Sequence, residues 1–189
     1  MSALSEAPLV DWVDRATWRA WLDANHTGAG GAWLVLRRRE ARAGLYEAAV
    51  EEALCFGWVD STAGRIDEER SKLYFAPRKP NSGWAATNKA RLERLIADGR
   101  MAPAGLAVIE RAKANGSWTL LDSVERLEVP PDLAAALDTG PSARANFDAW
   151  PPSVRKQSLA SIAQAKRPET RQDRIRKIVD AAERNNRPF

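Results

Sequence analysis

The 189-residue sequence contains one cysteine, one histidine and no long hydrophobic run. A single cysteine excludes an intramolecular disulfide and fits a reducing compartment. Because His26 is the sole histidine, we expect no histidine-based metal site. No apolar run approaches the roughly 20 residues that cross a bilayer, and the acidic N-terminus lacks the basic start and apolar middle of a secretory signal. We therefore expect a cytoplasmic protein without a membrane span.

Nucleotide-binding signatures are also missing. The sequence has no P-loop and no Gly-x-Gly-x-x-Gly, and the glycine-rich segment 28–31 precedes a predicted strand, the reverse of the required order. Adjacent acidic residues occur at 67–69, but on a predicted turn such a run is typical of solvated side chains. The sequence therefore predicts no cofactor and no metal.

Charge is distributed unevenly along the chain. The net charge of +4 combines −2 over residues 1–149 with +6 over residues 150–189. A basic terminal segment is usually a solvated helix face, but it can also contact a nucleic-acid backbone. Acidic residues interrupt the segment, and no helix-turn-helix glycine or stacking aromatic accompanies it. Nucleic-acid association remains a weaker alternative that depends on Arg155, Lys156, Lys166, Arg167, Arg171, Arg174, Arg176 and Lys177.

Hydrophobic periodicity predicts an α+β fold. Helical spacing follows a cap at Asp14 and recurs over 46–56, where a left-handed cap at Gly57 ends the pattern. Strand patterns at 32–38, 58–66 and 72–79 predict a small antiparallel three-stranded sheet. Further helices are predicted from a Ser82 cap to residue 98, over 104–115, and at 131–138, 141–149, 152–166 and 169–184, the last with a capping box at Thr170 and Asp173.

The same pattern divides the chain into three parts. Residues 1–116 form an α+β domain with N-terminal helices, residues 117–129 form a linker, and residues 130–189 form a basic helical subdomain. The eight tryptophans provide large side chains that can anchor these cores.

Residues 58–84 concentrate the candidate binding chemistry. An arginine fork, an aromatic wall and a serine hydroxyl on one hairpin are suited to a small anion or a partner. The same hairpin also suits a half-exposed sheet on which Asp60 forms a charged pair with Arg78 or Arg65. If Val59 joins the core, Trp58, Asp60, Tyr74 and Arg78 share the outer face; alternatively, Trp58 is the core residue and the register is reversed. Cys55, near a helix C-terminus, is interpreted as a buried, inert thiol. The candidate ligand-binding residues are Trp58, Asp60, Arg65, Tyr74, Arg78 and Trp84.

Seven collinear segments cover most of the chain: WRAWLDANH (18–26), WLVL (33–36), YEAAVEEALCFGWVDS (46–61), DEER (67–70), FAPRKPNSGW (75–84), ERLIADGRMAPAGLAVIERAKANGSW (93–118) and AKRPETRQDRIRKIV (165–179). Together they resemble the YdeI/OmpD-associated family, also called bacteriocin-protection proteins. One departure is Gly44–Leu45, where the family typically has a threonine cap, and we expect it to fray the first turn of the second helix.

The resemblance implies a role in resistance to bacteriocins or cationic antimicrobial peptides, and it implies no reaction, cofactor or catalytic residue. The leading hypothesis is a non-enzymatic stress-protection protein that binds an unknown small molecule or protein partner on the 58–84 hairpin. An enzyme acting on a small anionic substrate, with Asp60 as general base and Arg78 orienting an acid group, is the alternative.

Overall fold

The computed structural model describes residues 6–37 and 44–188. The chain forms two compact units, one of Met1–Asn81 with Thr87–Asn115 and the other of Ser82–Ala86 with Gly116–Phe189. Each unit has its own buried apolar core.

The first unit is a mixed sheet with helices. Its elements are β1 (Leu9–Asp11), α1 (Arg15–Asn25), β2 (Ala32–Arg37), α2 (Tyr46–Cys55), β3 (Trp58–Arg65), β4 (Arg70–Pro77), α3 (Ala86–Ala97, of which Ala86 belongs to the second unit) and α4 (Pro103–Ala114). The strand order is β1-β2-β4-β3, with β1 parallel to β2 and the other pairs antiparallel.

The α+β class is confirmed, but the prediction of three strands was wrong. The fourth strand, β1, is only three residues long and shows too little alternation to be recognised from sequence. Backbone hydrogen bonds hold it beside β2: Trp33 N donates to Pro8 O and Trp12 N donates to Val35 O, each at 2.9 Å. The predicted end of β2 at Arg38 lies outside the described residues.

Local signals placed most helix ends correctly. The Asp14 carboxylate accepts a 2.7 Å hydrogen bond from Thr17 N and caps α1, as predicted. Gly57 ends α2 with φ +74°, the predicted left-handed conformation. At α4, a Cβ on Gly105 would lie 2.2 Å from Cys55 O, so glycine allows the backbones of α4 and α2 to approach closely.

The register of the hairpin places Trp58 in the core. Trp58 pairs with Pro77 and Asp60 with Phe75, and residues directly opposite each other share a face. Phe75 is fully buried, with its ring 5.3 Å from that of Trp18 on α1, and Trp58 meets Trp21 edge-on at 5.9 Å. The second of the two predicted registers is therefore confirmed.

Several helix assignments require correction. Helical spacing places Tyr46 and Ile96 on the apolar stripes of their helices and Glu52 on a polar face, yet Tyr46 and Ile96 are exposed and Glu52 is buried. Helix α3 begins at Ala86 rather than after Ser82. The burial of Tyr46, Ile96 and Glu52 depends on their partners in the tertiary structure, which local periodicity does not reveal.

The second unit is helical. It contains α5 (Asp122–Glu125), α6 (Pro131–Leu137), α7 (Ala143–Ala149), α8 (Pro152–Ala163) and α9 (Pro168–Glu183), close to the four predicted helices and with α5 in addition. The predicted capping box at Thr170 is wrong because α9 already begins at Pro168. Instead, Glu183 at the end of α9 accepts hydrogen bonds from Ser142 Oγ and Ala143 N and caps α7.

No helix among residues 6–37 and 44–188 combines the length and the apolar character that a membrane crossing requires.

Truncating a side chain in the first core tests this packing. We expect Phe75→Ala to lower the free energy of unfolding by about 3–5 kcal/mol, because it removes a fully buried ring between the sheet and α1. Ile96→Ala, on a side chain that is 48% exposed, is the control and should change it by less than about 0.5 kcal/mol. Chemical denaturation measures both. Equal effects would contradict the assignment of the core.

Candidate functional site

A polar cluster surrounds Asp60 at the start of β3. The Tyr46 hydroxyl donates a 2.8 Å hydrogen bond to Asp60 Oδ2. Arg91 of α3 donates two hydrogen bonds to the carboxylate of Glu47, from Nε to Oε1 at 2.9 Å and from Nη2 to Oε2 at 2.6 Å. The negative charge of Asp60 raises the pKa of Tyr46, and the positive charge of Arg91 lowers it. Asp60 and Arg91 therefore influence the same phenol, whereas the sequence paired Asp60 with Arg78 or Arg65.

Burial and charge shift the pKa values in this cluster. Desolvation, followed by the hydrogen bond to Asp60, raises the pKa of Tyr46 to about 12, so its hydroxyl remains a donor at neutral pH. Desolvation lowers the pKa of Arg78 to about 10, and the negative charge of Asp60 opposes that change. Arg78 therefore remains a cation at neutral pH, with Asp60 stabilising its charge.

Two of the six predicted site residues lie away from this cluster. Arg65 lies at the far end of β3, about 16 Å from Asp60 at the usual strand rise, and its Nε donates to Asp67 O at 3.0 Å. Tyr74 pairs with Trp33, and the two rings are 5.1 Å apart on the sheet face opposite Phe75. Asp60 and Tyr74 therefore do not share a face.

The two predicted tryptophans are buried in different units. Trp58 packs against Trp21, and its indole Nε1 donates to His26 O at 3.3 Å. Trp84 belongs to the second unit, where its ring is 5.2 Å from that of Trp118. Of the six residues, only Asp60 and Arg78 interact through their charges, and Trp58 is buried in the core of the first unit.

A second cluster, absent from the sequence prediction, joins α1, α2 and the α3–α4 loop. Glu52, only 1% exposed, accepts a 2.8 Å bond from Arg19 Nη1 and a further bond from Arg100 Nη2, with Arg15 Nε at 3.5 Å. The neighbouring Glu51 accepts from Arg15 Nη2 at 2.6 Å. We call the charged network of Arg15, Arg19, Arg91, Arg94, Arg100, Glu47, Glu51 and Glu52 the arginine–glutamate network.

The network lowers the pKa of two of its carboxyl groups. The hydrogen bond from Arg91 is the main cause of the low pKa of Glu47. Burial raises the pKa of Glu51, but the hydrogen bond from Arg15 and the charge of Arg100 outweigh it, and the net direction is downward. Both groups are therefore ionised well below neutral pH.

Cys55 is enclosed by the same elements. Burial raises the pKa of its thiol, and the guanidinium of Arg19 opposes that effect only in part. A protonated, buried thiol is a poor nucleophile. The geometry agrees with the prediction that Cys55 is part of the core rather than of a reactive site.

The basic C-terminal helices are heavily ion-paired. Asp132 holds Arg171 through two bonds of 2.7 and 2.9 Å, and Glu125 accepts from Lys156 at 2.6 Å. Arg174 donates to Ser161 O and Arg176 to Asp173. These contacts involve four of the eight cations on which the nucleic-acid alternative depends.

Two family models match the chain, and they cover two separate regions of it. Residues 10–108, more than half of the chain, match the model of a family described as a domain of unknown function (DUF8412), and the chain belongs to this family. Residues 126–185 match the model described as Bacteriocin-protection, YdeI or OmpD-Associated. This second match confirms the resemblance to that family and confines it to the helical second unit.

Searches of curated proteins and of solved structures found no match.

Acid titration tests the arginine–glutamate network. Because the folded-state pKa values of Glu47 and Glu51 lie below 4.5, their stabilisation is present above that pH and is lost as the pH falls through the folded values. We expect Glu51→Gln to be less stable than wild type at pH 7 and this difference to shrink between about pH 5 and pH 3. Urea unfolding across this range, with Glu110→Gln on α4 as an exposed control, provides the measurement. A difference that stays constant with pH would contradict the account.

Proposed function

We propose that this chain is a non-enzymatic protection protein against bacteriocins or antimicrobial peptides, and that it acts by binding a partner or small ligand at the Asp60 cluster. The match of residues 126–185 to the bacteriocin-protection family supports the protective role. The binding role depends on one observation in the first unit: the Asp60 carboxylate joins the Tyr46 hydroxyl and lies within the field of the buried Arg78.

This geometry favours recognition over catalysis. A general base needs an accessible carboxylate near the proton that it removes, whereas Asp60 already accepts a bond from a phenol whose pKa is about 12. Tyr46 is 43% exposed, which leaves its ring available to a bound group. An exposed aromatic ring beside a half-buried carboxylate can bind a ligand with both apolar and charged parts.

Survival of bacteria that express the chain tests the proposal. We expect Asp60→Asn and Tyr46→Phe each to lower survival under bacteriocin or polymyxin challenge about tenfold or more, while the loss of one hydrogen bond lowers the free energy of unfolding by only about 1–2 kcal/mol. Both proteins are purified in parallel so that stability is measured on the same variants.

The control is Val50→Ala, which removes a buried methyl pair from α2 and leaves the Asp60 cluster intact. If survival falls with Val50→Ala as much as with Asp60→Asn at equal loss of stability, the Asp60 cluster is not a binding site. If expression of the wild-type chain gives no survival advantage, the protective role itself is wrong.

A further inference from the structure

The arginine–glutamate network borders an open depression on the first unit. Arg15, Arg19, Arg100 and Glu52 line it together with Ala16 and Gly99, and its volume is about 670 Å³. This volume falls within the range of small-molecule sites. The side chains of the three arginines are 28–40% exposed, so each guanidinium is partly solvated at the rim while it also holds Glu51 or Glu52.

The charge of the network is not balanced. Among the described residues, Arg15, Arg19 and Arg100 at the depression face two carboxylates, those of Glu51 and Glu52, which leaves an excess of one positive charge. A guanidinium carries five N–H donors, and the bonds to Glu51 and Glu52 occupy only part of those on Arg15 and Arg100. The depression therefore presents cationic donors beyond those that the internal carboxylates use.

We propose that this depression binds the phosphate group of a small molecule. A phosphate monoester carries a charge of about −1.5 to −2 at neutral pH and offers three strong acceptor oxygens. Its negative charge and its acceptors suit the positive excess and the three converging arginines of the depression. Arginine binds phosphate and carboxylate oxygens in the same forked geometry, and the buried Glu52 already shows that these guanidiniums converge on an oxyanion. The N-terminus of α1 is not needed for this binding, because Asp14 caps it.

Tyr46, Asp60 and Arg78 do not line the depression, so phosphate binding can be tested separately from the proposed function. The buried carboxylate of Glu52 holds the arginines in place without a ligand, so the cost of ordering their side chains is met in the folded protein. Phosphate binding therefore needs little rearrangement of the network.

The first test adds a carboxylate that competes with phosphate and leaves every arginine of the depression in place. Ala16 is exposed, lines the depression and is the second residue of α1, where an acidic side chain favours the helix. We expect Ala16→Glu to fold normally and to weaken binding of inorganic phosphate and of glycerol phosphate about tenfold or more, because its carboxylate reaches the same guanidiniums. The control is Ala24→Glu, which adds the same charge about 12 Å further along α1 and should bind as wild type.

Isothermal titration calorimetry at constant ionic strength separates specific phosphate binding from the screening of charges by added salt. The proposal predicts saturable phosphate binding to wild type and to Ala24→Glu, with chloride at equal ionic strength giving no signal. It is overturned if wild type shows no saturable phosphate binding, if chloride competes equally, or if Ala16→Glu binds as tightly as Ala24→Glu.

Removal of a donor provides an independent check. Arg15→Gln eliminates the most exposed guanidinium of the three, and Arg126→Gln eliminates one that pairs with Glu128 in the second unit. Binding should weaken about tenfold or more for Arg15→Gln and stay unchanged for Arg126→Gln. Equal affinity in both variants would overturn the proposal; if Arg15→Gln does not fold by circular dichroism, the comparison of the Ala16 and Ala24 variants decides the question.

Discussion

The buried carboxylate of Glu52 is the interaction on which the first unit depends. Removing a charge from water costs several kcal/mol, and only close, well-placed counter-charges offset that loss. Arg15 and Arg19 reach Glu52 from α1, and Arg100 reaches it from the loop after α3. One side chain of α2 thus joins that helix to α1 and to the α3–α4 loop. Arg19 strengthens the arrangement by donating to Arg100 O at 2.8 Å and by lying over the ring of Phe56.

The position of α2 then determines the two surfaces on which the functional proposals depend. Tyr46 begins α2 and meets Asp60 on β3, while Glu52, near the end of the same helix, organises the arginines of the depression. Gly57 turns the chain directly from α2 into β3, so a displacement of the helix would also move Asp60. Binding at either surface therefore requires the buried ion pairs to be intact.

Local signals predicted the elements but not which polar residues are buried. Asp14 and Gly57 determine the start of α1 and the end of α2 through short-range geometry, and these two predictions are confirmed. Burial of Glu52 depends on Arg19 and Arg100, 33 and 48 residues away in sequence, which no local pattern reveals. Alternation in the hairpin left two registers open, and the shift between Asp60 and Ala63 further obscures which face each residue occupies.

The free energy of unfolding of Glu52→Gln tests the central claim most directly. The substitution keeps the shape of the side chain and removes the charge that holds three guanidiniums. We predict a loss of about 3–5 kcal/mol at pH 7, because one partner of a buried ionic cluster is removed and the others stay. Under the same conditions, Glu110→Gln, on an exposed helix face, should lose less than about 0.5 kcal/mol. A Glu52→Gln protein as stable as the Glu110→Gln control would contradict the account.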